Sequence, residues 1–253
     1  MQTLSVCMPV YNERQTLERV LRSLPSALPS VPMQLVIVDD CSSDGTREWL
    51  QQHLLPEDAP LRRELQFDRD ARLDIQLCFH ERNGGKGRAL RTAFEAATGD
   101  AIVIQDADLE YDPMDWRRMW PLLADRKVAD AVFGSRFYGQ PHRSLNFHHF
   151  LGNKLITWVF NLLYNQTLTD IEVCYKMFDR RLLDGRRLVS DDFGIEVELS
   201  ALISRAPRCR IYEVGISYFG RTYDEGKKIN WVDGVLALGY LFRYRFTKRL
   251  TPA

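Results

Sequence analysis

Four carboxylates fall on alternate positions where an apolar run ends: in IVIQDADLEYDP, residues 102–113, they are Asp106, Asp108, Glu110 and Asp112. Like charges at that spacing repel unless a positive group stands among them. Asp106, Asp108 and Glu110 are three oxygen donors at the end of an expected strand, and such a set suits a hard divalent cation, Mg²⁺ or Mn²⁺. The plain alternative is a solvated acidic loop. A D-x-D triplet is common by chance and draws its weight here from following a buried strand. Asp112 reads differently, because it precedes Pro113, which fits the first position of a helix. Asp112 is then a natural N-cap, and Asp115 is favoured in the first turn of a helix running to Leu123.

The elements that must position these acids alternate between strand and helix. Leu4–Met8 reads as a buried strand stopping at Pro9, with a polar turn of Tyr11, Asn12 and Glu13 behind it. Leu17, Val20, Leu21 and Leu24 then recur at helical spacing up to Pro25. Gln34–Val38 is a second strand ending in Asp39 and Asp40, and Ser42, Ser43 and Asp44 are cap residues for a helix from about Thr46. Residues 56–74 open with proline and are dense in charge, so an exposed excursion with one helical turn is expected there. Asp74–Phe79 and Ala101–Gln105 read as strands, separated by the glycine-rich turn Asn83-Gly84-Gly85-Lys86-Gly87 and a helix from Arg88 to Ala97. Ala129–Phe133 is a further strand, before Gly134-Ser135-Arg136. Polar clusters thus follow the carboxyl ends of strands, the signature of an open, mostly parallel α/β sheet with ligands at that edge. Without internal repeats or a low-complexity linker, one domain is expected.

The 253 residues are 45% hydrophobic and 27% charged, ordinary for a folded protein with a sizeable core. Equal numbers of basic and acidic residues, 34 each, leave no global positive field to drive non-specific nucleic-acid binding. Cys7, Cys41, Cys78, Cys174 and Cys209 form no C-x-x-C pair, so neither a zinc site nor a disulfide framework is expected, and a reducing, cytoplasmic compartment is. No window of about 20 apolar residues predicts a transmembrane helix, and MQTLSVCMPV lacks the basic flank and apolar core of a signal peptide.

Taken in order, Pro9-Val10-Tyr11-Asn12-Glu13, Val38-Asp39-Asp40-Cys41-Ser42-Ser43-Asp44-Gly45-Thr46, Asn83-Gly84-Gly85-Lys86-Gly87, Asp106-Ala107-Asp108 and Gly134-Ser135-Arg136 resemble the motifs of family 2 glycosyltransferases of GT-A fold. The likeness is strongest to the polyprenyl-phosphate branch typified by dolichol-phosphate mannose synthase, and it runs to about Asp233. Each motif alone is weak; their order carries the resemblance. It implies a Rossmann-like catalytic domain over residues 1–230, a C-terminal amphipathic helix over 231–253, and transfer of a sugar from a UDP- or GDP-sugar donor. One such fold hosts many sugars and acceptors.

Residue by residue, the resemblance implies that Pro9, Tyr11 and Glu13 line the nucleotide pocket and that Asp39 contacts the nucleoside, with neighbouring Asp40 left to cap the following turn. It puts Lys86 near the diphosphate, and gives Asp106 and Asp108 the metal that bridges it. The branch often carries Gln where this chain has Glu110, which still offers oxygen ligands but adds negative charge. In GRTYDEGKK, Arg221 with Lys227 or Lys228 matches a basic loop that closes over the donor, and Gly220 and Gly226 permit a hinge. A solvated charge run is the plain alternative. Metal and basic side chains together would neutralise the departing diphosphate.

On the acceptor side, Arg136 and Arg143 match positions that bind a lipid phosphate, for which the guanidinium fork is suited; surface ion pairs are the alternative. A phosphate monoester acceptor is already anionic and needs no general base, whereas a hydroxyl acceptor does. Candidate bases are Asp191, Asp192, Glu196 and Glu198, of which Glu196 is the one to test, and Asp170. The stretch WVDGVLALGYLFRYRFTKRL interleaves aromatics with Arg243, Arg245, Lys248 and Arg249, as an interfacial membrane helix does; a helix packed on the catalytic domain with a basic tail is the alternative, and docking on a separate membrane protein is a further expectation for a lipid acceptor. A helix over Phe147–Tyr164 is also rich in apolar residues. The resulting expectation is an inverting, metal-dependent transferase, peripheral on the cytoplasmic membrane face, that moves a hexose to a polyprenyl phosphate. The same fold acting on a hydroxyl acceptor is the alternative. A sugar-phosphate nucleotidyltransferase would show a glycine- and arginine-rich loop where this chain has Pro9–Glu13, and an inactive binding subunit is disfavoured by intact Asp106 and Asp108.

Overall fold

The computed structural model describes residues 2–65, 73–139, 141–143, 147–221 and 231–247. The strands are β1 (Leu4–Val10), β2 (Met33–Asp39), β3 (Leu73–Phe79), β4 (Ala101–Ile104), β5 (Ala131–Ser135), β6 (Lys176–Asp179) and β7 (Ile211–Gly215). They form one sheet in the order β3-β2-β1-β4-β6-β5-β7. Every pairing is parallel except those of β6, which runs antiparallel to β4 and β5. β1 does not stop at Pro9 but runs on to Val10. The Cys7 carbonyl accepts from the Gln105 amide, and β4 pairs with β1 no further than Cys7. Pro9, two residues on, points to the same flank past the end of β4, so its missing N–H removes no ladder bond.

Both faces of the sheet are covered by helices: α1 (Leu17–Ala27), α2 (Thr46–His53), α3 (Pro60–Leu65), α4 (Lys86–Ala96), α5 (Trp116–Trp120), α6 (Phe147–Tyr164), α7 (Gly194–Ser204) and α8 (Trp231–Phe246). Leu21, Trp49, Leu61 and Trp116 pack with Val6, Met8, Leu35, Ile37 and Val103 on one face. Leu90, Phe160, Leu199 and Leu241 pack with Cys7, Val36, Val38, Ile102 and Ile104 on the other. Successive strand residues serve opposite cores, which is why the strands read as unbroken apolar runs.

Three local expectations are corrected. Pro25 lies inside α1, in its last turn, where it removes a single helical bond. Residues 56–74 are not wholly an exposed excursion, since α3 buries Leu61 and Leu65. The helix expected from Met114 to Leu123 is broken in three: a 3₁₀ turn over Pro113–Asp115, then α5, then a wider turn over Pro121–Asp125. Pro121 offers no N–H, and the chain recovers with an Arg126 amide donating to the Pro121 carbonyl at 2.8 Å. All five cysteines are free thiols. Among the described residues no helix is long and apolar enough to cross a membrane. α8 packs on α6 and α7: Leu241 and Tyr244 are buried, and the Tyr164 hydroxyl donates to the Leu241 carbonyl at 3.0 Å.

Candidate active site

The chain steps outward from β1 to β2 to β3 and then returns to β4 on the other side of β1, which makes the carboxyl ends of β1 and β4 a topological switch point. The turns at that edge are tied together by side chain to backbone bonds. The Asn12 amide donates to Ser42 Oγ at 2.9 Å, and the Ser43 amide donates to Asn12 Oδ1 at 2.8 Å. Asp44 Oδ1 accepts from the Thr46 amide at 3.0 Å and so caps α2. Asp40 accepts from the amides of Gly84 at 3.0 Å and Gly85 at 2.7 Å and meets His80 Nδ1 at 2.6 Å, so it braces the glycine loop rather than its own turn. That loop lies directly on the backbone of residues 190–191. Gly85 has φ +89°, and a Cβ on Gly87 would stand 2.3 Å from the Ser190 carbonyl oxygen. Close approach there needs glycine, and it sets Lys86, the first residue of α4, over the switch point.

A cavity of about 730 Å³ opens at this edge, and Pro9, Tyr11, Glu13, Lys86, Asp106, Asp108, Glu110, Arg136, Glu196 and Arg221 all line it. The positive groups that the acidic run requires are Lys86 and Arg221. Lys86 Nζ stands 2.9 Å from Asp106 Oδ1, 3.2 Å from Glu196 Oε1 and 2.8 Å from Cys174 Sγ. Arg221 places Nη2 2.6 Å from Asp108 Oδ2 and Nη1 3.4 Å from Glu13 Oε2, and its backbone amide donates to Glu110 Oε1 at 2.8 Å. Burial is the largest single influence on the Asp106 carboxyl and raises it, but Lys86, Cys174 and Arg221 together hold Asp106 below the usual range. Asp108 is pushed up to about 7 by burial and by the charges of Asp106 and Glu110, against the pull of Arg221. Asp112 belongs to a different device: it accepts from the Met114 amide at 2.9 Å, capping the turn that begins at Pro113. Asp115 is buried and accepts from the Ser217 amide at 2.7 Å.

The expected cage of Asp106, Asp108 and Glu110 around one metal ion is not assembled. Among the described residues no three His, Cys, Asp or Glu side chains are gathered to hold an ion, because Lys86 takes Asp106 while Arg221 takes Asp108 and Glu110. The donor set nonetheless fits Mg²⁺ or Mn²⁺. Two hard carboxylates flank Ala107 in a pocket short of positive charge, and Mg²⁺ in particular is commonly held by one or two carboxylates, with substrate phosphates and waters supplying the rest.

Other expected residues are placed as follows. Arg136 is buried and makes a forked pair with Asp170, Nε to Oδ2 at 2.6 Å and Nη2 to Oδ1 at 2.7 Å. Arg143 is exposed and is not among the described lining residues; its Nη1 donates to the Gly220 carbonyl at 2.9 Å. Asp39 is fully buried against Arg47 Nε at 2.7 Å and also stands off the cavity, so a nucleoside contact would require Arg47 to move. Glu196 has Oε2 2.7 Å from Lys176 Nζ, while Oε1 stands 3.2 Å from Lys86 Nζ, is buried and accepts no hydrogen bond among the described residues, so one oxygen of this candidate base is left without a donor. Glu198 holds the Val189 and Ser190 amides, and Asp192 caps α7 at the Gly194 amide. Asp191 pairs with Arg91 at the surface. Lys227, Lys228, Lys248 and Arg249 lie outside the described residues.

Sequence reasoning named Asp170 as a candidate acid but passed over its neighbours in DIEVCYK. Glu172 and Cys174 line the cavity, and Lys176 meets Glu196, while Ile171, Val173 and Tyr175 between them are fully buried. The segment runs through a turn and a bend, so its alternating pattern does not mark a strand. Burial raises the Glu172 carboxyl to about 7, with Arg136 pulling it down and Asp170 pushing it up.

Comparison with known proteins agrees with this geometry. An undecaprenyl-phosphate mannosyltransferase of Micrococcus luteus is 26% identical over 244 residues, which cover 92% of this chain and 90% of that protein. A dolichol-phosphate mannosyltransferase of Pyrococcus furiosus is 28% identical over 134 residues, 53% of this chain; the matched region spans only 33% of that longer relative. Among solved structures, glucosyl-3-phosphoglycerate synthase of Mycobacterium tuberculosis, in complex with Mn²⁺, UDP and phosphoglyceric acid, superposes with a TM-score of 0.67 at 17% identity, covering 100% of this chain and 80% of that one, and so shares the GT-A fold. Residues 5–186 match the description of glycosyl transferase family 2, and the chain belongs to that family.

Proposed function

We propose that the chain is an inverting, metal-dependent glycosyltransferase that moves a hexose from a UDP- or GDP-sugar to a polyprenyl phosphate at a membrane surface. The observation that carries this reading is the mixed lining of the cavity. Glu13, Lys86, Asp106, Asp108, Arg136 and Arg221 line it together with Leu155 and Ile156 of α6 and Leu236, Ala237 and Leu238 of α8. A phosphate head with an apolar tail suits a lining of both kinds. The apolar wall also meets the surface, since Phe147, Leu151, Leu155, Trp158 and Leu162 form one exposed stripe along α6, at helical spacing. Phe242 and Phe246 of α8 are exposed as well, with Arg243 and Arg245 beside them, the composition of a helix face lying in a lipid interface. The names of the Pyrococcus and Micrococcus relatives specify lipid phosphates, and the Mycobacterium complex holds Mn²⁺ and UDP.

In this reading Pro9, Tyr11 and Glu13 line the nucleotide, and Asp39 contacts the nucleoside once Arg47 has swung aside. Asp106 and Asp108, with Glu110 beside them, hold Mg²⁺ or Mn²⁺, which when bound supplies a Lewis acid to the departing diphosphate. Lys86 and Arg221, joined by Lys227 and Lys228, add positive charge there, and Arg136 positions the acceptor phosphate, with Arg143 nearer the surface. The acceptor oxygen attacks the anomeric carbon from the face opposite the diphosphate, the new C–O bond forms as the old one breaks, and the nucleoside diphosphate leaves. No proton changes hands, so Glu196, beside two lysines, is not called on as a base.

One observation favours a second reading, a hydroxyl acceptor. Glu172 lines the cavity, holds its carboxyl at about 7 and makes no hydrogen bond among the described residues, as a general base would. The test is the purified protein with UDP- and GDP-sugars, Mg²⁺ or Mn²⁺, and either short polyprenyl phosphates or free sugars. Product on the phosphates is expected. Product on hydroxyl acceptors alone, or full activity in chelator, refutes the proposal.

A further inference from the structure

The acidic site carries its own cation, and the geometry says what happens to it. Both oxygens of Asp108 are engaged: Oδ2 meets Arg221 Nη2 at 2.6 Å, and Oδ1 accepts from the Glu110 amide at 3.1 Å. Glu110 is bound on both oxygens as well, by the Arg221 amide at 2.8 Å and the Tyr218 hydroxyl at 3.1 Å, and its carbonyl accepts from the Phe219 amide at 2.9 Å. Residues 218–221 are thereby fastened along the turn after β4, and the guanidinium is delivered among Glu13, Asp108 and Glu110. A divalent ion that takes Asp108 Oδ2 must displace it.

We propose that Arg221 is a placeholder for the metal and a positioning residue for the donor. It neutralises Asp108 and Glu110 while the donor is absent, releases Asp108 to the incoming divalent cation, and transfers its fork to the diphosphate oxygens that arrive with that cation. The inference rests on the reading of Asp106 and Asp108 as metal ligands. Its physical content is a coupling of two binding events. Metal alone breaks the shortest of the ion pairs of Arg221 and leaves the guanidinium only the longer contacts to Glu13 and Glu110 at 3.4 Å. Metal with a nucleoside diphosphate breaks the same pair and supplies a new anion, one whose geometry suits a guanidinium fork. Metal affinity is therefore low alone and high with nucleotide, and Arg221 is the source of part of that difference.

The test is Mn²⁺ binding to the intact protein, read from the electron paramagnetic resonance signal of free Mn²⁺, for wild type, Arg221→Gln, Arg221→Lys and Asp108→Asn, with and without saturating UDP or GDP. Without nucleotide, Arg221→Gln binds Mn²⁺ at least about tenfold tighter than wild type, and Arg221→Lys, which keeps the charge but not the fork, falls between. With nucleotide the advantage of Arg221→Gln disappears. Equal or weaker Mn²⁺ binding by folded Arg221→Gln in the absence of nucleotide overturns the inference; should that variant fail to fold, equal or weaker binding by Arg221→Lys does so. Mn²⁺ binding by Asp108→Asn at the wild-type level refutes instead the metal-site reading beneath it, so the two failures are told apart.

Discussion

Replacing Asp170 by asparagine tests the acceptor end of the site through its folding energetics. Asp170 is fully buried and accepts from Arg136 Nε at 2.6 Å, from Nη2 at 2.7 Å and from the Arg136 amide at 3.2 Å. Asn keeps the shape but removes the charge, and its NH₂ group faces a guanidinium that has only donors. At least one strong bond is lost, and Arg136, itself 9% exposed, is left without its counter-ion. Breaking a buried pair from one side costs about 3–5 kcal/mol, a large share of the roughly 5–15 kcal/mol that holds a domain folded. Urea unfolding of Asp170→Asn should show that loss. The double variant Arg136→Met, Asp170→Leu should recover most of it, because no unmatched charge stays buried. Since Asp170 orients the fork, Asp170→Asn should also raise KM for the phosphate acceptor more than KM for the donor. A stability loss below about 1 kcal/mol would show that the pair is not the buried link described, and the positioning of Arg136 would have to be explained otherwise.

Other perturbations address the donor loop, the surface and the pocket carboxyl. Gly87→Ala puts a Cβ 2.3 Å from the Ser190 carbonyl oxygen, and overpacking against backbone should cost about 1–3 kcal/mol. A lowered melting temperature together with weaker nucleotide binding is expected, and an unchanged Tm would refute the close approach. Trp158→Glu with Leu162→Glu changes side chains that are 64% and 70% exposed, so folding stability should move by no more than about 0.5 kcal/mol each; co-sedimentation with anionic vesicles should fall sharply, and undiminished sedimentation would remove α6 from the membrane surface. Glu172 keeps its proton in the folded chain up to about 7 but releases it in the unfolded chain near 4.3, so its contribution to stability is present at low pH and lost as pH rises through that window. Arg136, Asp170, Lys176 and Glu196 are the charges around it. Glu172→Gln should flatten the stability profile between about pH 4.3 and 7 by on the order of 1–2 kcal/mol, and should spare transfer to a phosphate while abolishing transfer to a hydroxyl; an unaltered profile would argue against a raised Glu172.

Much of the sheet was legible because its strands are covered on both faces. Val36, Ile37 and Val38 serve two different cores, so the run is apolar without alternation and stands out from its polar turns. β6 and β7 did not stand out. KMFD and IYEVG are short, carry charge, and take their places only by pairing, β6 with β4 and β5, and β7 with β5. Antiparallel β6 between two parallel neighbours is a tertiary fact with no local signature. Pro25 and Pro121 misled in opposite ways: α1 runs past Pro25, which was read as its stop, whereas the helix read as continuing to Leu123 gives way to a wider turn at Pro121.

The site was legible where a motif lies on one turn and illegible where it is built across the chain. Asp106, Asp108 and the Asp112–Pro113 cap are local, and the cap's boundary with the acidic cluster could be drawn from proline chemistry alone. What neutralises the cluster could not. Arg221 reaches Glu110 across 111 residues and Asp108 across 113, and Asp40 reaches the Gly84 amide across 44. No spacing rule predicts such contacts, because loop closure is set by the fold and not by the residues between. Glu196 shows the same limit: Lys86 and Lys176 arrive beside it from two other elements, a surrounding that no local pattern at the start of α7 foretells. The DIEVCYK strip was legible only at Asp170: residues 171–174 run through a turn and a bend, and Ile171 joins one core while Val173 and Tyr175 join the other, so Glu172, which lines the cavity, carries no periodic signature.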